Sequence, residues 1–93
     1  MRTIELTTAF KRDYKREIKG RYRQTLENDL NTIVIALAND QPLADKHRDH
    51  ALSGEWNDHR DCHIKPDMVL IYRKQYDSVL QLVRLGSHSE LGI

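Results

Sequence analysis

The stretch HRDCHIKPDMVLIYRKQYDSVLQLVRL, residues 59–85, decides the fold, because the sequence period changes there from helical spacing to a period of two. Three of its segments, HRDCHI, MVLIYRK and SVLQLVRL, have the composition of β-strands. Short spacers separate them, at 65–67 and 75–77. Such spacers predict an antiparallel meander, since parallel strands need long crossover connections.

The sequence before this stretch predicts a short strand and then two helices. RTIEL, at 2–6, alternates like a strand, and the run from Thr8 places Phe10, Tyr14 and Ile18 on one side of a helix. Thr25 is the expected N-cap of a second helix. That helix carries an apolar stripe at Leu26, Leu30, Ile33, Val34 and Leu37.

The predicted fold class is therefore α+β, with two N-terminal helices packed on a small antiparallel sheet in the order β-α-α-β-β-β. A loop of about 15 residues, 42–57, joins the second helix to the sheet. Loops of that length in compact domains are often functional. We therefore expect functional residues in this loop as well as on the strands.

The composition indicates one small globular domain spanning residues 1–93. Hydrophobic residues make up 39% of the chain and charged residues 31%, which excludes the composition of a disordered protein. No apolar run approaches the ~18 residues of a membrane span, and the N-terminus lacks a signal-peptide core, so we expect no membrane association. The single cysteine, Cys62, favours a reducing compartment, so we expect a cytoplasmic location.

The net charge of +1 is unevenly distributed along the chain. Residues 1–24 hold eight Lys or Arg against three Asp or Glu, and the remaining residues are net negative. A basic helix of this kind is either simply solvated or attracts phosphate groups, and the residues alone leave both possibilities open. The basic residues of the first helix are Lys11, Arg12, Lys15, Arg16 and Lys19.

All five histidines lie in the second half of the chain, among carboxylates. If residues 59–64 form a strand, alternation places His59, Asp61 and His63 on one face and Cys62 on the other. Cys62 is then predicted to be a small core residue rather than a nucleophile. The other candidates lie at strand ends or in the long loop, at His47, His50, Asp67 and His88.

Three kinds of chemistry compete for these residues. A metal site could use His47-x-x-His50 or His59-x-Asp61-x-His63, but there is no HExxH motif, cysteine pair or dense carboxylate cluster. General acid–base catalysis fits better, because imidazoles titrate near neutrality and carboxylates orient them. Metal-free RNA cleavage needs a base, an acid and a cation near the phosphate. Exposed histidines can equally be plain surface residues.

The second half of the chain also resembles a known family. KHRDHALSGEWNDHRDCHIKPDMVLIYR, followed by VRLGSHSELG, is similar to the YafQ branch of the RelE/ParE superfamily of bacterial type II toxins. The resemblance covers about the last 45 residues well, and the first half agrees mainly in its outline of one strand and two helices. The matching positions are His50, Leu52, Gly54, Trp56, Arg60, Asp61, His63, Pro66, Asp67, Ile71, Tyr72, Gly86 and His88.

The resemblance implies a fold like that of microbial ribonucleases and a toxin that enters the ribosomal A site and cuts translated mRNA. It implies a cognate antitoxin, with operator DNA bound only through the toxin–antitoxin complex, and neither a cofactor nor a metal. Among the residues, it implies His88 as the general acid, Asp67 or His63 as the base, and His50 beside the phosphate. Asp61 would orient an imidazole. Candidate contacts to RNA or the ribosome are Lys11, Arg12, Lys15, Arg16, Lys19 and Arg84.

The sequence departs from the family in one respect and leaves rival functions. Family members usually carry an aromatic residue four positions after the last histidine, where this chain has Gly92, so base stacking from that point is absent. A degenerate, non-enzymatic toxin that binds antitoxin or operator DNA is the alternative. A gyrase-poisoning relative ranks lowest, because by the family pattern it lacks this histidine set.

Overall fold

The computed structural model describes residues 1–93 and has helices on both faces of one five-stranded sheet. The strands lie in the order β1-β5-β4-β3-β2. None of the helices is long and apolar enough to cross a membrane. The strands are β1 (Thr3–Leu6), β2 (His50–Ala51), β3 (Arg60–Lys65), β4 (Met68–Gln75) and β5 (Val79–Gly86), and the helices are α1 (Thr8–Glu17), α2 (Leu26–Ala38) and α3 (His88–Leu91).

The predicted fold class and the meander of the last three long strands are confirmed, since β3, β4 and β5 pair antiparallel in sequence order. Three features go beyond the prediction, and the first is the short helix α3 after β5. β1 joins the sheet parallel to β5, with Thr3 opposite Val79, and the two helices carry the chain from β1 at one edge of the sheet to β2 at the other. The long loop is also more ordered than expected, since it contains β2 and two 3₁₀ turns, at Asp45–His47 and Gly54–Trp56.

The N-terminal ends of the two long helices are held differently. Thr7 caps α1, and its hydroxyl accepts from Phe10 N–H at 2.9 Å. Thr25 takes the predicted N-cap position of α2 but makes no capping bond. Its hydroxyl accepts from Lys65 Nζ at 2.9 Å instead, so this side chain ties α2 to the end of β3.

The sheet buries apolar side chains on both faces. The main core lies between the sheet and the helices α1 and α2, with Leu26, Leu70 and Leu80 fully buried. A smaller cluster on the opposite face is formed by Val69, Ile71 and Leu91, with partly buried neighbours from the loop and the C-terminus. The second cluster positions the long loop and α3 over the end of the sheet where the polar residues of β3 emerge.

A buried carboxylate joins α1 to β5. Asp13 is 3% exposed and accepts from Arg84 Nε at 2.7 Å, from Leu85 N–H at 3.0 Å and from Arg16 Nη1 at 3.1 Å. Burial alone would raise the pKa of Asp13, but these donors outweigh it and hold the pKa below its ordinary value. The network orients the end of β5, from which the chain continues into α3.

Candidate active site

His50 and Asp61 face each other across the β2–β3 pair. His50 Nδ1 lies 3.1 Å from Asp61 Oδ1 and 2.7 Å from the carbonyl oxygen of Arg48. A carbonyl oxygen can only accept, so Nδ1 carries a proton, and in the neutral imidazole Nε2 keeps the free lone pair. Because the Nδ1 proton is bonded to Arg48, the buried Oδ1 of Asp61 has no hydrogen-bond partner.

Asp61 is the buried carboxylate at the centre of the site. It is 1% exposed. Burial raises its pKa, and the nearby imidazoles of His50, His63 and His88 act in the opposite direction. The buried carboxylate thus places a carboxyl group of raised pKa beside three imidazoles. This is the environment that acid–base work by histidine needs.

His63 and His88 meet because of the sheet register. His63 lies opposite Val69, and Val69 lies opposite Gly86, so the three residues form one row across β3, β4 and β5. His88 follows Gly86 by two residues and begins α3, whose start is fixed by a capping box between Ser87 and Glu90. The ring centroids of His63 and His88 are 5.0 Å apart, with a 55° angle between their planes.

The structure thus brings four of the five predicted catalytic residues together, while the carboxylate of the fifth, Asp67, is bonded to another part of the molecule. Asp67 accepts from Tyr22 Oη at 2.5 Å and from Arg21 Nη1 at 2.8 Å, both in the loop between α1 and α2. The Tyr22 hydrogen bond, followed by a backbone hydrogen bond and the Arg21 charge, lowers the pKa of this carboxyl. A carboxylate held in this way is a weak proton acceptor.

The six predicted RNA-contacting residues divide into two groups. Arg16 and Arg84 donate to Asp13, and Arg16 also pairs with Glu17, so their guanidinium groups are engaged within the protein. The other four side chains are exposed and form no ion pair. These are Lys11, Arg12, Lys15 and Lys19.

The remaining histidines and the cysteine have structural surroundings. His47 Nδ1 donates to the carbonyl oxygen of His63 at 2.8 Å, which ties the 3₁₀ turn of the long loop to β3. His59 lies outside β3, with its ring edge-on to Trp56 at 5.3 Å. Cys62 is fully buried in the main core, which confirms the prediction of a core residue, and burial raises the pKa of its thiol. The residues contain no group of three His, Cys, Asp or Glu side chains that could hold a metal ion.

Sequence reasoning missed two residues that shape the site. Arg48 has a positive φ of 48°, and this left-handed backbone aims its carbonyl oxygen at His50. An arginine gives no sequence signal for that conformation, which glycine and asparagine favour. Tyr22 was missed because its partner Asp67 is 45 residues away in the chain.

Comparison with known proteins gives a consistent result over nearly the whole chain. A family model described as "Bacterial toxin of type II toxin-antitoxin system, YafQ" matches residues 2–92. The mRNA interferase toxin YafQ of Escherichia coli K12 is 36% identical over 91 residues, which cover 97% of this chain and 95% of the relative. The putative toxin YafQ of Haemophilus influenzae is 42% identical over 66 residues, which cover 67% of this chain and 64% of that relative.

Solved structures agree with the fold. A copper-bound mutant toxin from Helicobacter pylori superposes with a TM-score of 0.85 at 40% identity, covering 98% of this chain and 99% of that one. The toxin in the E. coli DinJ-YafQ complex superposes with a TM-score of 0.82 at 36% identity, covering 98% of both chains. The fold and the match together define a toxin of a type II toxin–antitoxin system. Within that class, the chain belongs to the YafQ family.

Proposed function

We propose that this chain is an endoribonuclease that acts in the cytoplasm, enters the ribosomal A site and cuts mRNA under translation by metal-free general acid–base catalysis. The observation that carries the proposal is the grouping of His50, His63 and His88 around the buried carboxylate of Asp61. The activity named for the E. coli relative, mRNA interferase, is of the same class.

The reaction follows from what three imidazoles and a phosphodiester can do. A base takes the proton of a ribose 2′-hydroxyl, and the 2′-oxygen attacks the adjacent phosphorus. The bond from phosphorus to the 5′-oxygen of the next nucleotide breaks as an acid protonates that oxygen. The products are a 2′,3′-cyclic phosphate and a free 5′-hydroxyl, so atoms and protons balance.

The geometry supports a division of roles. We assign the acid to His88 and favour His63 over Asp67 as the base, because the Asp67 carboxylate is occupied by Tyr22 and Arg21. His63 and His88 lie side by side, so one phosphodiester can reach both rings. His50, held by Arg48 and next to Asp61, lies where it can stabilise the phosphate.

A cognate antitoxin is the partner we propose for the free toxin, with operator DNA contacted only through the toxin–antitoxin complex. The support is the solved complex of the E. coli relative with DinJ, whose toxin superposes over 98% of this chain. The neighbouring open reading frame is the first place to look for the antitoxin gene.

Expression of the chain alone in bacteria, beside His88→Ala and the control His59→Gln, tests the nuclease. We expect growth arrest and mRNA cut inside codons for the wild type and the control, and neither effect for His88→Ala. If His88→Ala arrests growth as strongly as the wild type, the assignment of His88 as the general acid is wrong. If the wild type binds its antitoxin but neither arrests growth nor cuts mRNA, the chain is instead a non-enzymatic binding module.

A further inference from the structure

A basic cavity opens directly beside His63. Its volume is about 430 Å³, and it is lined by Lys46, Arg48, His63 and Pro66, while Asp29, the partner of Lys65, lines an adjoining cavity. A cavity walled by cations and an imidazole attracts anions. The imidazole of His63 belongs both to this cavity and to the proposed active site.

The two cations of the cavity have no partner within the protein. Lys46 and Arg48 are exposed and form no ion pair or side-chain hydrogen bond. Their neighbours differ: Arg60 pairs with Asp49, and Lys65 pairs with Asp29. Since nearby arginine and lysine residues are neutralised by aspartates, Lys46 and Arg48 are the unpaired cations of this region, and the exposed carboxylate of Asp45 is the unpaired anion beside them.

The segment that carries these cations is held at two points of the site. On one side, His47 Nδ1 donates to the carbonyl oxygen of His63 at 2.8 Å. On the other, the carbonyl oxygen of Arg48 accepts from His50 Nδ1 at 2.7 Å. The backbone that presents Lys46 and Arg48 is therefore fixed relative to both imidazoles, which lowers the entropy cost of holding a ligand there.

We propose that Lys46 and Arg48, together with His63, form a binding subsite for one phosphate group of the RNA strand. This inference rests on the proposed function and specifies how its substrate is held. The guanidinium of Arg48 offers paired donors that match phosphate oxygens, while Lys46 adds a point charge. A phosphate in this position places the adjoining ribose next to His63.

A binding assay in which the RNA cannot be cleaved tests the subsite separately from the nuclease activity. The probe is a fluorescent 2′-O-methyl hexanucleotide, which lacks the attacking 2′-hydroxyl and cannot be cut. We expect Lys46→Gln/Arg48→Gln to bind it at least tenfold more weakly than the wild type. The slope of log affinity against log salt concentration should become shallower by about 0.7 for each phosphate that the variant no longer neutralises, which is the value for single-stranded nucleic acid. Both substituted side chains are exposed, so the thermal midpoint should not change.

The control is Arg23→Gln/Arg73→Gln, which removes the same charge at positions that do not line the cavity and costs in addition the hydrogen bond from Arg73 to Gln81. We expect the control to retain most of the affinity, and an equal loss in both double variants overturns the subsite. Resonances of residues 46–48 and the His63 ring should shift on adding the oligonucleotide. If inorganic phosphate moves them and the oligonucleotide does not, the cavity takes free anions and the proposal is wrong.

The remaining outcomes separate this inference from the proposed function. Binding at the cavity by a wild-type protein that cuts no mRNA rejects the nuclease and keeps the subsite. Normal oligonucleotide affinity in Lys46→Gln/Arg48→Gln, combined with weaker binding of an acidic antitoxin, rejects the subsite and assigns the cavity to a protein partner.

Discussion

The main-chain carbonyl of Arg48 holds the imidazole of His50 by its Nδ1 atom, at 2.7 Å and from a backbone with a φ of 48°. The left-handed conformation costs an L-residue about 1–2 kcal/mol, so the fold stabilises it from outside. What results is a fixed tautomer. Nδ1 is protonated, and Nε2 is the nitrogen left to meet substrate.

Replacing Arg48 by valine and by glycine should separate the backbone from the side chain. Glycine adopts a positive φ freely, so Arg48→Gly should keep His50 Nδ1 protonated. Valine resists that conformation, so Arg48→Val should break this hydrogen bond and lower the unfolding free energy by about 1–2 kcal/mol. The check is the pair of ¹⁵N shifts of the His50 ring without RNA, and unchanged shifts in Arg48→Val would falsify the role of the carbonyl.

The contact of Tyr22 with Asp67 allows a test of which residue is the base. Without the hydroxyl, Tyr22→Phe should raise the pKa of Asp67 toward its ordinary value, and Tyr14→Phe, whose hydroxyl bonds to nothing, should not. A ¹³C titration of the Asp67 carboxyl measures this directly.

The pH–rate profile then distinguishes the two candidate bases. If His63 is the base, the acidic limb of the profile stays in place in Tyr22→Phe. If Asp67 is the base, that limb moves to higher pH together with the carboxyl pKa. The second result would reverse our preference for His63.

The sequence predicted those features of the fold that depend on residues close together in the chain. Local patterns predicted the meander, the two long helices and the burial of Cys62, because those depend on periodicity within a few residues. The parallel pairing of β1 with β5 depends on residues about 75 positions apart, for which no local pattern exists.

In the candidate active site, too, the sequence predicted which residues take part but not which of them meet. The motif identified the histidines, but their meeting depends on the register row from His63 to Gly86. The partners of the charged residues could not be predicted from local sequence either. Whether Arg84 faces solvent or Asp13, and whether Asp67 faces His63 or Tyr22, is decided by how α1 and its following loop pack on the sheet.

Ribosome binding should depend on four unpaired cations, which are Lys11, Arg12 and Lys15 on α1 and Lys19 just after its end. Substituting Lys11, Arg12, Lys15 and Lys19 by glutamine should weaken binding to ribosomes and flatten its salt dependence, because fewer counterions are released. Arg84→Gln is the contrast, since it removes a partner of buried Asp13 and should lower the thermal midpoint instead. An unchanged salt slope in the fourfold variant contradicts a role for these cations.

Asp61→Asn should reduce activity without reducing stability. The direction in which the stability of the wild type changes with pH follows from the burial of Asp61. Folding raises the pKa of Asp61 above its ordinary value, so the folded protein binds this proton more tightly than the unfolded chain does. The stability contributed by that proton is fully present below the unfolded pKa and is lost as pH rises through the folded one. At pH 7 the ionised carboxylate therefore destabilises the fold.

Asparagine has the same shape and no charge, so at pH 7 Asp61→Asn should unfold at an equal or higher denaturant concentration than the wild type. The advantage should shrink as pH falls through the raised pKa of folded Asp61 and be gone below about 4, the ordinary pKa of an aspartate, where the carboxyl is protonated in both states. Cleavage of ribosome-bound mRNA should nevertheless drop by about 10²-fold, because the imidazoles lose the buried negative charge beside them. Denaturant titrations at pH 7 and at about pH 3.5 measure the first effect. A less stable variant at pH 7 would mean that Asp61 is held mainly by its interactions with histidine, and that its burial is not the dominant effect.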